Sequence, residues 1–334
     1  MTRLGILSLL ALVMLLLGEE IADAQQKMID LPDTVPAAFE RGRAYIQGGK
    51  YHKARITAEN ALRANPSSPD LHELLGHACL GLRDYPRAKE EYTQAIRHGS
   101  CSYLVYNNRG GLYAARKEWG PAIKDYSKAI KIDPAFPDAY YNRARIYRRQ
   151  RQYAKARRDY EEADKRGCGN IATASLVWLM ATCPEGAVRD GRKAIEYART
   201  LCERTEYKEP AFLEALAAAH AEAGQWKEAV HQTEQALELA ETRKYARENC
   251  EGIKMRLELY QLHEPYRTFP PDTPSGQRFS SAVEALLYGV AKMGVGDYEG
   301  AIPDLQKAVK LNPRLRSARH CLEYSLTQKE KERR

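Results

Sequence analysis

"NNRGGLYAARKEWGPAIKDYSKAIKIDP", from Asn107 to Pro134, is followed from Asn142 by "NRARIYRRQRQYAKARRDYEEADKRG". The two stretches superpose at a constant offset of 34: Asn108 on Asn142, Tyr113 on Tyr147, Trp119 on Tyr153, Ala122 on Ala156, Tyr126 on Tyr160 and Ala129 on Ala163. Working outward, a small residue recurs at Gly42, Gly76, Gly110 and Ala144. An aromatic recurs at Tyr51, Tyr85, Trp119 and Tyr153. Two alanine series follow, at Ala54, Ala88, Ala122 and Ala156, and at Ala61, Ala95, Ala129 and Ala163. No other period fits all four series, and repetition of this length marks a solenoid built from stacked identical units.

The spacing within a unit explains its architecture. Apolar residues recur at three- and four-residue steps over two stretches of about a dozen residues each, the pattern of amphipathic helices. Short polar breaks ("GGK", "RD", "KE") separate them and suffice for a helix–helix turn. The Gly or Ala of the first helix and the Ala of the second remove bulk where the axes cross, and the aromatic that opens the second helix fills the wedge beside the crossing. Pro66 and Pro134 stop the second helix. One hairpin leaves an apolar face bare, which the next hairpin covers.

These residues, Gly42, Tyr45, Tyr51, Ala54, Ala61 and Pro66 with their counterparts in the next three units, resemble the tetratricopeptide repeat family. The resemblance implies an all-α, right-handed α-solenoid of tetratricopeptide-type hairpins. It implies that first helices line a concave face that recognises peptides or partner proteins, and it implies no catalysis. Four such repeats are expected over residues 35–170. Beyond them, Ala217, Trp226, Ala229 and Ala236 restore the pattern, but Ala217 stands at an offset of 73 from Ala144, two periods plus five. Residues 171–266 are therefore expected to hold two further units, the first with a long inter-helix turn at "CPEGAVRDG" (Cys183 to Gly191), plus one long helix. The block from "LVWLMATCPEGAVRDG" to "RLELYQLHEPYR" also resembles the C-terminal module of exported bacterial repeat proteins of unassigned function. Three prolines and a glycine in "TFPPDTPSGQRF" argue for a linker over 267–281. A final repeat at Gly289, Tyr298, Ala301, Ala308 and Pro313, with a capping helix after it, is expected over 282–334.

The segment 1–24 reads as a secretory signal peptide: Arg3, the apolar run Leu4 to Leu17, and Ala22-Asp23-Ala24 as a cleavage site before Gln25. The run is shorter than the ~20 apolar residues a membrane span needs, so export with cleavage near Ala24 is expected, with an uncleaved N-terminal anchor as the alternative. The full chain carries 52 Lys and Arg against 44 Asp and Glu, and removing the leader takes away one positive and three negative charges. Seven cysteines in an exported chain invite disulfides. Cys183 and Cys202 are placed too far apart along their unit, so buried free thiols are expected.

Catalytic motifs are missing: there is no G-x-S-x-G, no P-loop and no C-x-x-C. The second histidine of "HELLGH" (His72 to His77) comes five places after the first, which puts the rings on different helix faces and argues against a shared metal. No enzyme, cofactor or metal is expected. For the groove, the family resemblance singles out Asn107 and Asn108 in the third unit and Tyr141, Asn142, Arg145, Arg148 and Arg149 in the fourth. The subclass that clamps a chaperone C-terminal carboxylate is excluded, because its Lys and Asn positions hold Asn107 and Gly111, or Glu73 and His77.

Between Asn142 and Gly167 stand eight Arg and two Lys against four acidic residues. Arginine is preferred over lysine where a carboxylate or phosphate is gripped bidentately. An acidic protein segment is the expected partner and an anionic envelope polymer the alternative; nucleic acid is not expected for an exported chain. Arg157 and Arg158, on the unit's second helix, are expected to look outward.

Overall fold

The computed structural model describes residues 34–268 and 281–332. The expected signal peptide and most of the expected linker lie outside them. Among the described residues all regular structure is helical.

The chain divides into two compact units. In the first, up to Asp133, three hairpins succeed one another: α1 (Val35–Gln47) with α2 (Tyr51–Ala64), α3 (Pro69–Gly81) with α4 (Tyr85–Arg97), and α5 (Tyr103–Ala115) with α6 (Trp119–Ile132). The second, from Pro134, begins with α7 (Pro137–Arg149) and α8 (Tyr153–Lys165). There follow α9 (Asn170–Thr182), a single 3₁₀ turn (Gly186–Val188) and α10 (Gly191–Arg204), then α11 (Pro210–Glu222) with α12 (Trp226–Thr242). Next is α13 (Arg247–Gln261), which has no second-helix partner directly after it among the described residues. The hairpin α14 (Ala282–Met293) and α15 (Tyr298–Leu311) and the terminal α16 (Arg316–Glu332) complete the unit.

Helix starts are written in side-chain chemistry. The side chains of Ser68, Asp84, Asp190, Ser281 and Asp297 accept a hydrogen bond from a first-turn N–H, satisfying donors that the helix leaves open. The turn inside each of the first four hairpins needs one residue in the left-handed region: Gly49, Arg83, Lys117 and Arg151 have φ of 68°, 62°, 61° and 60°. Only the first is a glycine, so the other three accept backbone strain of about 1–2 kcal/mol that stacking must outweigh.

Close crossings follow from the small residues. A Cβ on Gly76 would lie 2.6 Å from the ring of Tyr92, and one on Gly110 would lie 2.9 Å from that of Tyr126. Ala144 and Tyr160 hold the same places in α7 and α8, and both are fully buried. Ala54, Ala88, Ala122 and Ala156, on the second helices, have no exposed surface. The core of the first unit centres on Leu74, Leu75, Cys79, Tyr92 and Val105. The second unit has one core around Leu176, Met180, Cys202 and Leu213, and another in which Met255 and Leu259 of α13 join Leu286, Leu305 and Ala318. Glu258 of α13 accepts from the N–H groups of Arg316 (2.8 Å) and Ser317 (2.9 Å), which caps α16. Cys79, Cys183, Cys202 and Cys250 are buried free thiols, and burial pushes Cys79 and Cys202 up to about 11.

Candidate partner-binding face

In α7, Pro137 starts the helix and Tyr141, Arg145, Arg148 and Arg149 follow at steps of four, three and one, so the first three share a face. Arg145, Arg148 and Arg149 are exposed, while Tyr141 and Asn142 are half-buried. The guanidinium of Arg145 lies over the Tyr141 ring, 5.7 Å from its centroid. That ring in turn rests on Tyr160 of α8, centroid to centroid 5.8 Å. Tyr160 is fully buried, and its hydroxyl has no hydrogen-bond partner among the described residues. Burial pushes its phenol up to about 12, while Arg148, Arg145 and Arg149 pull the other way. The arginines therefore stand around an aromatic pair with an uncommitted buried hydroxyl beneath. Such a face suits a carboxylate or another planar anion, because guanidinium forks bind these bidentately.

The third hairpin belongs to the other compact unit. There Asn107 donates to the Asn108 side-chain oxygen (3.2 Å), and Asn108 donates to the Tyr92 hydroxyl (3.4 Å). Both are half-buried, with Asn108 held from behind by the preceding hairpin.

The arginine excess has two sources. Arg143 makes a two-pronged pair with Asp159, at 2.7 and 2.8 Å, inside the α7–α8 hairpin. Arg109 does the same with Asp125 in the α5–α6 hairpin, at 2.8 and 2.9 Å. Arg166 donates to the Pro134 carbonyl (2.6 Å) and covers the Tyr140 ring at 4.5 Å. Arg157 corrects an expectation. It is not an outward charge but is half-buried, donating to the Val188 carbonyl (2.9 Å) and pairing with Glu161 (3.2 Å) and Asp190 (3.5 Å). The irregular stretch around the 3₁₀ turn carries Val188 and Asp190 back to α8, where Arg157 meets them. Arg158, in contrast, is exposed. Part of the basic stripe is thus internal scaffolding, and Arg145, Arg148 and Arg149 are the arginines that α7 presents outward.

Sequence inspection passed over Tyr160, which the repeat series marks only as a core aromatic. It also passed over Glu214 and Glu222. These stand at the same offset from Tyr141 and Arg149 as Ala217 does from Ala144, and so hold the corresponding places on α11.

The two histidines of "HELLGH" are engaged separately. His72 contacts Glu91 (2.8 Å) and the Pro66 carbonyl (2.9 Å) and stacks on His98, whereas His77 packs edge-on against Tyr92. No cluster of metal-ligating side chains occurs among the described residues.

Family models described as tetratricopeptide repeat match residues 39–97 and, in a second model, residues 137–166 and 286–315. A model described as TPR repeat matches 110–150. Among curated proteins, none matches the chain. Among solved structures, the C-terminal part of a TPR repeat-containing protein from Cytophaga hutchinsonii is similar, with a TM-score of 0.53 and 14% identity over 85% of this chain and 99% of that one. A tetratricopeptide repeat protein from Parabacteroides merdae aligns over 87% of this chain and 98% of that one, with 16% identity and a TM-score of 0.46. YrrB, described as a TPR protein with an unusual peptide-binding site, aligns over 70% of this chain and 99% of its own, with 19% identity and a TM-score of 0.41.

Proposed function

This chain is a tetratricopeptide repeat protein, and on that premise we propose that it is a non-enzymatic interaction scaffold of the cell envelope that holds an acidic segment of a partner protein. The observation that carries the proposal is the exposed Arg145–Arg148–Arg149 face of α7 built over Tyr141 and the unsatisfied Tyr160 hydroxyl. The Tyr141 ring meets Tyr160 at a tilt of 50°, and Tyr160 is also the aromatic of the helix crossing, so what supports the reading is the open arginine edge together with the unsatisfied hydroxyl beneath it. Asn107 and Asn108, on the third hairpin, are proposed as partner contacts of the first unit in their own right. The location rests on the leader-like residues 1–24, and a mature N terminus at Gln25 is the expected result of sequencing protein from its native host. An intact Met1 on protein recovered outside the envelope overturns it.

An anionic envelope polymer is the second reading, favoured by the basic balance of the chain. Affinity capture from an envelope extract at rising salt separates the two. A protein partner held through shaped contacts persists at moderate ionic strength, whereas a purely electrostatic polymer is released as the charges are screened. Release of everything at modest salt contradicts the scaffold reading.

A further inference from the structure

The partner-facing places of α7 have counterparts on the next two first helices. On α11 they hold Glu214, Ala218 and Glu222, where α7 has Tyr141, Arg145 and Arg149. On α9, at an offset of 33, the places of Arg145, Arg148 and Arg149 are held by Trp178, Ala181 and Thr182. In the structure these places are occupied, and the occupant is the chain itself.

The non-helical residues after α13 run over this face. Tyr266 meets Trp178 edge-on, with ring centroids 6.3 Å apart at 83°. Arg267 pairs with Glu222 at 2.6 Å and donates to the Ala181 carbonyl at 3.1 Å. The Thr268 N–H donates to the Thr182 carbonyl at 3.0 Å, and its hydroxyl donates to the same oxygen at 3.2 Å. Behind the segment, Arg256 of α13 pairs with Glu214 and lies over the rings of Trp178 (5.7 Å) and Tyr266 (5.6 Å). Arg189 holds the other oxygen of Glu222 at 2.9 Å. Arg267 and Thr268, which open the expected linker, are therefore anchored.

These contacts are of the kind made by a bound peptide. Tyr266 covers part of the core around Met255 and Leu259. Beyond that cover, the segment brings a backbone N–H and a guanidinium to the open carbonyls at the end of α9, a contact from the same guanidinium to a carboxylate, and the edge of the Tyr266 ring to Trp178. Arg267 and Glu222 keep 18% and 15% of their side-chain surface, so the two side chains are partly exposed although the carboxylate oxygen facing Arg267 is buried.

We propose that the first-helix face of α9 and α11 is a binding site for an extended segment carrying an aromatic–arginine pair, and that Tyr266-Arg267-Thr268 is its resident ligand. The site differs in chemistry from the α7 face: there arginines are exposed, whereas here Glu222 pairs with the arginine of the segment and with Arg189, and Glu214 pairs with Arg256. A tethered ligand competes at high effective concentration, so the site is closed to free ligands until the segment is displaced.

The test uses a fluorescent peptide, HEPYRTFP, copied from residues 263–270. The full chain carrying Tyr266→Ala and Arg267→Ala should bind it saturably, at least about tenfold tighter than the unaltered chain does, because the tethered competitor is gone. A peptide with Ala in place of its arginine should not bind, and adding Glu222→Gln to the chain should weaken binding. Arg145→Ala with Arg148→Ala should leave it unchanged, so this site and the α7 site fail separately. A folded double variant that ignores the peptide, or binds both peptides alike, overturns the proposal. If the double variant does not fold, the unaltered chain decides: a millimolar excess of the peptide should speed hydrogen exchange at the Thr268 amide, and no change there overturns the proposal.

Discussion

At the scale of single residues, His77 shows how burial becomes pH dependence. It packs against Tyr92, and burial pushes its imidazole down from 6.5 to about 4. The folded chain keeps the ring neutral, whereas the unfolded chain takes up a proton below its ordinary value. Stability is therefore fully present above about pH 6.5 and is lost as pH falls towards about 4. Burial pushes the neighbouring Glu73 carboxyl up, which works in the opposite sense just above its ordinary 4.5, where the fold holds that proton better than the unfolded chain. Denaturant unfolding should show the His77 contribution as a loss of about 2 kcal/mol between about pH 7 and about pH 5, and His77→Gln should flatten that slope. An unchanged slope in the variant means that the ring titrates normally. Nothing in "HELLGH" announces this; the helix face could be read from the spacing, but the ring's burial depends on Tyr92, which lies in the next helix.

At the scale of elements, small residues and aromatics recurring at one fixed period were enough to read the hairpins, because their packing is the same in every unit. The pairs that tie each hairpin from side to side were harder to see. Arg109–Asp125 and Arg143–Asp159 share one separation along the chain, which has meaning only once the turn has folded the second helix onto the first. Arg157 was misjudged for a similar reason, since its carbonyl and carboxylate partners come from the irregular turn before α10, which no repeat pattern encodes. The crossings themselves are testable. Ala122 and Ala156 have no exposed surface, so Ala122→Leu and Ala156→Leu should each cost about 1–3 kcal/mol through overpacking. A variant that melts like the parent would mean that the helices do not meet there.

At the scale of the whole molecule, the chain uses one kind of helix face in two ways. On α7 it presents arginines, Arg145 lying over Tyr141, and on α9 and α11 it presents Trp178 and Glu222, which its own Tyr266 and Arg267 engage. The first use was legible as an excess of arginine, although the sequence could not separate arginines that brace hairpins from those that face outward. The second was hidden, because a segment far downstream in the chain supplies the contacts. The central claim is that position on α7, and not net charge, decides binding. Fluorescence anisotropy with a labelled glutamate-rich peptide tests it across three forms of the chain. Arg145→Ala with Arg148→Ala should weaken binding at least tenfold, since each charge-assisted contact is worth roughly 1.5–3 kcal/mol. Lys155→Ala with Arg158→Ala, which removes the same charge from the exposed side of α8, should change it little. Equal losses from the two pairs, or no loss from either, would contradict the account.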